Sequence, residues 1–370
     1  MVRLTRAQQQ ARTRAAVLAA AVEEFTEHGF ADAKVDRIAA RAELTRGAVY
    51  SNFPSKRSLY LAVLLDSVQR DEPAADGPFE AAGPADGADG AEAFARVWLE
   101  RLPLAGDAPD TGRLKARSLT GVFGDEPGRT AMAQLARLEA LLVALALESC
   151  GGPGAGRRVR SAELILTLLH GAGHLAETAP GFGDPFDVAR ACRRLADLEA
   201  DDAWDPPHLP YVAAPRVCHD TWTPPADLAD AITGHPVGWA EDGVVVVLGT
   251  GRLGAAEEAV RAHRPGEAVT VALVTDDPAE VGALVRLRIA DLAVCLRRAF
   301  GPAAGPPMRL VLDERGSLAA AAGAGTAGDT EAAVRVRDGK IVARAEGRGA
   351  AYAAATAAAP AEPPSGGNGR

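Results

Sequence analysis

The chain of 370 residues is long enough for two or three domains, and 48% of its residues are hydrophobic, as expected of a globular protein. Its net charge of −9 is unevenly distributed: residues 1–70 hold 11 basic and 7 acidic residues, whereas residues 71–370 hold 29 and 42. A basic head on an acidic body is typical of a nucleic-acid-binding module joined to a domain that does not bind nucleic acid.

Several classes of protein are disfavoured by simple sequence features. The four cysteines lie far apart without a C-x-x-C pair, which argues against a disulfide framework or a zinc site. The longest uncharged apolar run, residues 140–147, is too short to span a bilayer, and the polar N-terminus lacks the apolar segment of a secretion signal. We therefore expect a cytoplasmic protein with no membrane partner, metal or cofactor.

Residues 1–70 show the pattern of four helices. The first covers about residues 5–28 and ends at Gly29, which is a typical C-cap. A short helix follows from about residue 35, and after a brief turn Thr45 is a good N-cap for a third. Pro54 ends that helix, and Ser55 caps a fourth.

The second and third helices, at residues 34–53, form a helix-turn-helix pattern, in which the second helix lies in a DNA major groove. In the stretch TRGAVYSN, Val49 and the following Phe53 are inward-facing, so the outward-facing residues are Thr45, Arg46, Tyr50 and Ser51. Gly47 is small enough to let the helix approach base edges. Lys56 and Arg57 open the next helix, where a phosphate would meet cations and free backbone N–H groups.

Residues 25–64 resemble the DNA-binding domain of TetR-family transcriptional regulators. The matching positions are Phe25, Gly29-Phe30, Val35, Ile38-Ala39, Ala42, Gly47, Tyr50, Phe53, Ser55-Lys56 and Leu59. The resemblance implies a homodimer that binds a palindromic double-stranded DNA operator, usually represses transcription and responds to a small-molecule effector. It also implies the site residues: Thr45 and Arg46 for bases, Tyr50, Asn52 and Lys56 for phosphates, and Lys34 for either.

The chain departs from the family pattern at two places. Ala33 and Lys34 stand where Ser or Thr usually caps the first helix of the motif, and Glu43 stands at the turn position usually held by Gly. Each departure costs about 1 kcal/mol. The alternative interpretation of residues 1–70 is a small helical bundle without a DNA partner.

Residues 71–90 are acidic and rich in Gly and Pro, and we interpret them as a flexible linker. Residues 91–200 are predicted to form a helical effector-binding and dimerisation domain, with helices at 91–102, 112–123, 128–149, 158–178 and 185–199. The last two are our candidates for a four-helix bundle between two copies. The candidate effector pocket comprises Trp98, Phe123, Met132, His170 and His174; the two histidines at i, i+4 are an alternative metal pair, although pocket lining is favoured.

Residues 201–240 are interpreted as a connector containing Pro and Trp, residues 241–358 as an α/β domain, and residues 359–370 as a disordered tail. The connector holds at most a short helix at 225–233. The α/β pattern comprises strands 244–248, 269–274 and 309–313, each followed by a helix (254–263, 278–300 and 316–323), then a hairpin turning at Asp338-Gly339. This order resembles a thioredoxin-like or peroxiredoxin-like fold that lacks its redox cysteine.

The stretch GTGRLG at 249–254 leaves a further alternative. Its spacing matches a dinucleotide-binding loop, and Asp276 and Asp277 follow at the distance of a ribose-binding acid. However, no second βαβ unit follows, so we interpret the glycines as shaping a tight turn. The sequence thus predicts a multidomain regulator that is not an enzyme and has no catalytic residues; an enzyme or redox sensor, and a protein-interaction adaptor, are the alternatives.

Overall fold

The computed structural model describes residues 5–71, 84–103, 114, 117–151, 156–198, 202–206, 208–301 and 308–357. These residues form two compact units. The first unit comprises Met1–Asp202 together with Asp277–Pro306, and the second comprises Ala203–Asp276 together with Pro307–Arg370. The chain therefore leaves the second unit once and contributes a segment to the first. The expected tail at 359–370 lies outside the described residues.

The described secondary structure of the first unit is helical. The helices whose bounds are described before the second unit are α1 (Arg6–Asp32), α2 (Val35–Arg41), α3 (Arg46–Asn52), α4 (Lys56–Asp71), α5 (Gly87–Leu99), α6 (Glu126–Ser149), α7 (Val159–Thr178) and α8 (Pro185–Asp197). A further helix, Val281–Phe300, is α10 in chain order. The helix expected at 112–123 does not extend through its later part: residue 114 is helical, but residues 117–123 lie in turns and irregular backbone.

Helices α1–α4 share a small aromatic core. Phe25 and Tyr60 are buried, with ring centroids 4.9 Å apart, and the half-buried Phe30 ring lies 5.1 Å from Tyr60. Gly29 has φ 65°, so it interrupts α1 next to this cluster, as expected from a C-cap glycine. The cluster holds α1 against α4 and so supports the short helices α2 and α3.

The predicted linker at 71–90 extends too far. Asp86 accepts a hydrogen bond from the backbone of Asp89 at 2.8 Å and caps α5, which begins at Gly87. A Cβ atom on Gly87 would lie 3.2 Å from the Leu147 carbonyl oxygen, and one on Gly90 would lie 2.5 Å from the Phe300 ring. These two glycines therefore allow neighbouring helices to pack closely, and they do not belong to a flexible linker. Residues 72–83 lie outside the described part of the chain.

The predicted boundary of the α/β domain is also corrected by α10. This helix was expected within the domain at 241–358, but it belongs to the first unit and packs against α4, α5 and α6. Its apolar side chains Leu284 and Leu292 are buried, and its polar side chains pair with acids and bases of the helical unit. The cross-helix ion pairs are Arg101–Asp291, Arg288–Glu139 and Arg298–Glu100.

The second unit contains a six-stranded mixed sheet. Its elements are β1 (Arg216–Thr221), β2 (Gly243–Gly249), α9 (Ala256–Ala262), β3 (Ala268–Val274), β4 (Met308–Leu312), α11 (Ser317–Ala322), β5 (Glu331–Arg337), β6 (Lys340–Glu346) and α12 (Ala350–Thr356). The strand order is β1-β6-β5-β2-β3-β4. Strands β2, β3 and β4 are parallel, whereas the β5–β6 hairpin is antiparallel and pairs with β2. The turn of this hairpin places Asp338 at φ 48° and Gly339 at φ 69°, as an Asp-Gly turn predicts.

The segment expected to be a connector, 201–240, largely belongs to the second unit. Its strand β1 is mostly exposed, so it lacks the alternation that reveals a half-buried strand. Trp222 and Trp239 pack edge to face, 5.8 Å apart, against the sheet core. The short helix expected at 225–233 is absent: Asp230 instead accepts the backbone N–H of Leu310 at 2.9 Å and anchors a turn beside β4.

Among the described residues, helix α6 is long and apolar enough to be considered as a membrane span. Its 18-residue apolar window has a mean hydropathy of 1.5, and 67% of that window is buried within the protein. Buried core helices have the same properties, so α6 is weak evidence for a membrane span.

Candidate nucleic-acid interface and effector cavity

The turn between α2 and α3 is a Schellman motif. The N–H of Leu44 donates to the Ala39 carbonyl at 2.9 Å, and the N–H of Glu43 donates to the Ala40 carbonyl at 3.2 Å. Glu43 has φ 56°, so this left-handed position is occupied by a residue other than glycine, as the sequence indicated. The strain is local, and the turn still places α3 after α2 as a helix-turn-helix.

The N-terminus of α3 is solvent-exposed. Thr45 caps it, because its Oγ1 accepts the N–H of Ala48 at 3.2 Å. Arg46 has a 61% exposed side chain, lies 3.4 Å from the equally exposed Asp36 carboxylate, and rests 5.4 Å from the Tyr50 ring centroid. Val49 is buried beneath them. The exposed surface of α3 therefore offers a hydroxyl group and a movable guanidinium group.

The eight predicted DNA contacts differ in exposure. Lys34, Thr45, Arg46, Gly47 and Ser51 are exposed, whereas Tyr50, Asn52 and Lys56 are half-buried. The Asn52 Nδ2 group donates to the Ala48 carbonyl at 2.9 Å. Seven of the eight thus have a polar or backbone group available at the surface of this domain.

Lys56 is the exception. Its ammonium group donates to the carbonyl oxygens of Phe30, Ala31 and Ala33 at 2.8, 3.0 and 3.2 Å, so all three hydrogens are used inside the chain. Desolvation lowers the pKa of Lys56, as expected of a half-buried cation. This geometry contradicts the predicted phosphate contact of Lys56 and makes the residue a clamp on the end of α1.

Arg57, which follows it, is engaged as well. Its guanidinium group donates to Glu280 at 2.7 Å and to Asp125 at 2.8 Å, and it lies 4.8 Å from the Phe123 ring centroid. Arg57 therefore links α4 to the rest of the helical unit and does not extend toward a phosphate.

Glu24 is a residue that the sequence reasoning did not identify. Its side chain is fully buried, and its Oε1 accepts the backbone N–H of Lys34 at 2.9 Å and the Arg37 Nε–H at 2.7 Å. Burial raises the pKa of Glu24, but these hydrogen bonds outweigh burial, and the net pKa is lowered. Glu24 thus ties α1 to the start of α2, where Lys34 provides no side-chain cap.

A separate cavity of about 420 Å³ lies among the helices of the first unit. Four of the five predicted pocket residues line it: Trp98, Met132, His170 and His174. Phe123 does not; its ring lies beside Arg57, outside this cavity. The lining residues that were missed include Arg101, Arg117, Leu287, Arg288 and Asp291, three of which come from α10.

Charged groups follow one wall of the cavity. The Cζ atom of Arg101 lies 3.8 Å from the Trp98 ring centroid, and that ring packs edge to face on His170, with centroids 5.2 Å apart. The His170 Nε2 atom lies 3.3 Å from the Nη2 atom of Arg288. Asp291 accepts from Arg101, and its other oxygen lies 3.1 Å from Arg117 Nη1. Desolvation first, then the charges of Arg288 and Arg101, lower the pKa of His170, so the imidazole is neutral at pH 7.

The glycine loop after β2 is closed by its own chain. The Gly251 N–H donates to the Gly328 carbonyl at 2.7 Å, and a Cβ atom on Gly249 would lie 2.2 Å from the Ala327 carbonyl oxygen. The loop continues through a short 3₁₀ turn into the seven-residue helix α9. These glycines permit close backbone packing, which agrees with a tight turn and disfavours a pyrophosphate cradle.

Comparison with known proteins identifies the first domain. The family model of bacterial regulatory proteins of the tetR family matches residues 17–63. The HTH-type transcriptional repressor SCO4008 of Streptomyces coelicolor is 42% identical over 52 residues, and the HTH-type transcriptional regulator SrpR of Pseudomonas putida is 44% identical over 64 residues. These matches cover 14% and 17% of this chain, and they span only 27% and 30% of the relatives' lengths.

Solved structures are similar at a lower level. A TetR transcriptional regulator from Rhodococcus sp. RHA1 is 21% identical, with 51% of this chain and 95% of that chain covered and a TM-score of 0.31. The SCO4942 protein of Streptomyces coelicolor is 24% identical, with 50% of this chain and 96% of that chain covered and a TM-score of 0.27. At these TM-scores nothing about the remainder of the chain follows. Residues 17–63 therefore form a helix-turn-helix domain that matches the N-terminal domain of the tetR family of bacterial regulatory proteins.

Proposed function

We propose that this protein is a transcriptional regulator, a repressor, that binds a palindromic DNA operator as a homodimer and is released by a small-molecule effector. The observation that carries the proposal is the exposed N-terminus of α3, with Thr45, Arg46 and Ser51 at the surface of a tetR-type helix-turn-helix. Arg46 and Thr45 contact bases, and Lys34, Tyr50 and Asn52 hold phosphates.

A mobility-shift assay with the DNA that flanks the gene tests the proposal. The Arg46→Ala variant is expected to lose about 1–3 kcal/mol of binding free energy if Arg46 binds a guanine. Arg70→Ala is the matched control, because Arg70 also forms an exposed helix-surface ion pair, with Asp66, at the end of α4 remote from the helix-turn-helix. No shift with the wild-type protein, or equal binding by the two variants, would contradict the DNA-binding assignment of α3.

The homodimer is supported by an exposed apolar surface on α7, α8 and the loop between them. The exposed fractions are 45% for Leu164, 39% for Leu175, 71% for Phe182 and 62% for Phe186. An apolar groove of about 510 Å³ lies at the same place, between Leu168 and Val188. A second copy covering these groups forms the four-helix bundle that the sequence suggested and places two α3 helices in successive major grooves, about 34–36 Å apart.

Analytical ultracentrifugation tests the dimer. The double variant Leu164→Glu/Phe186→Glu is expected to sediment as a monomer and to lose operator binding, while circular dichroism shows an intact fold. If the wild-type protein sediments as a monomer at all concentrations, Phe182 and Leu175 remain exposed and the dimer is ruled out.

The effector site is proposed to be the cavity lined by Trp98, Met132, His170 and His174. Its volume of about 420 Å³ suits a small molecule. It lies beside α10, which packs on α4, and α4 directly follows the helix-turn-helix. A ligand in this cavity can therefore bias the position of α4 relative to α5 and α6.

The second unit is proposed to be a thioredoxin-like accessory module without redox or other enzymatic activity. The strand order, with a hairpin pairing against the first of three parallel strands, supports this fold. The loop after β2 holds no cysteine at the helix N-terminus where a redox thiol would lie. A cytoplasmic location follows from the proposed DNA partner.

A further inference from the structure

The proposed effector cavity is lined by charged side chains as well as by aromatic ones. Arg101, Arg117 and Arg288 line it against two carboxylates, Asp291 and Glu177. Asp291 is held by Arg101 and Arg117. The cavity wall therefore presents many hydrogen-bond donors and few free acceptors.

Two guanidinium groups keep N–H donors for a ligand. Arg101 donates to Asp291 and contacts Cys295 through Nη1, so its Nε and Nη2 groups have no partner among the described residues. Arg288 uses Nε and Nη2 for Glu139 and His170, which leaves its Nη1 amino group without one in the same part of the chain. Both side chains are largely desolvated, with 12% and 15% exposed. Charge-assisted donors in such a place bind an anion strongly.

Two guanidinium groups lie near the centre of this wall, around His170. The ring of His170 lies between Trp98 and Arg288. The positive charges of Arg288 and Arg101 each lower the pKa of His170 by more than the negative charge of Asp291 raises it. Protonation of the imidazole is suppressed for that reason as well as by desolvation. An anion is therefore favoured where a second cation is rejected.

Other residues that line the cavity are apolar. Trp98, Leu102, Met132, Leu169 and Leu287 provide an apolar surface beside the guanidinium groups. A ligand that satisfies both parts is amphiphilic.

We propose that the cavity binds an organic anion, in which a carboxylate or sulfonate contacts Arg101 and Arg288 and an apolar ring system lies against Trp98. This rests on the proposed effector function and names the chemical class of the effector. Arg288 is supplied by α10, so the helix contributed by the later part of the chain provides the ligand-recognising charge.

Two fluorescent probes that differ by a single sulfonate test the class of ligand: 1-anilinonaphthalene-8-sulfonate and N-phenyl-1-naphthylamine. The full-length protein is expected to bind the sulfonated probe about tenfold more tightly than the neutral one, as charge-assisted hydrogen bonds imply. Energy transfer from Trp98 to the bound probe, lost in Trp98→Phe, places the probe in the cavity.

Variants assign the preference to the guanidinium groups. Arg101→Met keeps the apolar stem on Trp98 but removes the charge, and Arg288→Gln/Glu139→Gln removes an ion pair without leaving a buried carboxylate. Each is expected to reduce the sulfonate preference about fivefold or more, whereas Arg70→Met on the exposed surface of α4 changes nothing. Asp291→Asn is expected to increase the preference, which provides a test even if the arginine variants fold poorly.

Equal binding of the two probes, or a preference unchanged in all these variants, overturns the proposal. The operator mobility shift distinguishes anion binding in the cavity from its role as the effector site. If the sulfonated probe binds the cavity and leaves operator binding unchanged, the anion specificity stands and the effector role of the cavity fails.

Discussion

The guanidinium group of Arg57 donates to the Glu280 carboxylate at 2.7 Å, which joins the first residues of α4 to the residue before α10. The side chains of both residues are 25% exposed. The same arginine also binds Asp125, the N-cap of α6. One side chain thus connects the helix that follows the DNA-binding motif to two helices that surround the cavity.

A double-mutant cycle on Arg57 and Glu280 measures the strength of this link. Arg57→Gln and Glu280→Gln are expected to show a coupling free energy of about 0.5–1 kcal/mol in urea unfolding, decreasing with salt, since partly shielded pairs exceed exposed ones. The Arg46–Asp36 pair, with 61% and 67% exposed side chains, is the matched comparison and is expected to show almost none. Equal coupling in the two pairs would refute a structural role for the Arg57 link.

Replacement of Glu43 by glycine is expected to increase both the stability of the protein and its affinity for DNA. The Glu43 φ of 56° is left-handed, so Glu43→Gly is expected to stabilise the protein by about 0.5–1 kcal/mol after the entropy cost of glycine is subtracted. It also removes a negative charge close to α3. Glu43→Gln separates the two effects, because it removes the charge but keeps the strain. Thermal unfolding and mobility shifts measure them; a destabilised Glu43→Gly variant would show that the turn is not strained.

Buried Glu24 predicts a large loss of stability. Glu24→Gln leaves the Arg37 guanidinium and the Lys34 N–H with a weaker acceptor and is expected to cost about 2–3 kcal/mol. Because the folded pKa lies below the unfolded value of 4.5, the stabilisation is present above pH 4.5 and is lost as the pH falls through the folded pKa. The variant should lose this part of the acid sensitivity. Glu27→Gln, with a 51% exposed side chain, is the control, and a similar loss there would contradict the assignment.

His170 predicts a dependence of stability on pH in a different range. Its pKa is lowered in the folded state, so the unfolded chain binds more protons below its usual pKa of 6.5, and stability falls as the pH decreases from about 7 toward the folded pKa of about 3. His170→Gln is expected to flatten the pH profile between 7 and 5 in urea unfolding. His174→Gln, one turn further along α7, provides the comparison; an identical change in both variants would exclude a special environment for His170.

The first four helices were predicted well because their boundaries depend on local chemistry. Gly29, Thr45, Pro54 and Ser55 act through backbone groups within a few residues of themselves. The structure shows the predicted ends of α3 and the start of α4 within about two residues, whereas α1 is interrupted at Gly29 and ends only at Asp32. The Glu43 turn is local in the same sense. Their burial pattern follows from helical periodicity, which one sequence is enough to display.

Other features depend on residues that are far apart in the chain. Arg288 meets Glu139 across 149 residues, and Arg101 meets Asp291 across 190, so no local pattern assigns α10 to the helical unit. The same holds for Lys56. Its place in the sequence predicts a phosphate ligand, but its ammonium group donates to three carbonyl oxygens at the end of α1.

The amino-acid sequence alone therefore determined that the chain begins with a helix-turn-helix of the tetR type and continues into helical and α/β regions. Capping, periodicity and turn geometry are short-range effects, because the residues that cause them lie within a few positions of the helix or turn that they shape. Only the tertiary structure decided that α10 forms a wall of the cavity, that Gly87 and Gly90 pack helices closely, and which arginines keep N–H donors without a partner among the described residues. Those outcomes depend on which distant side chains satisfy one another, and that pairing exists only after the helices are assembled.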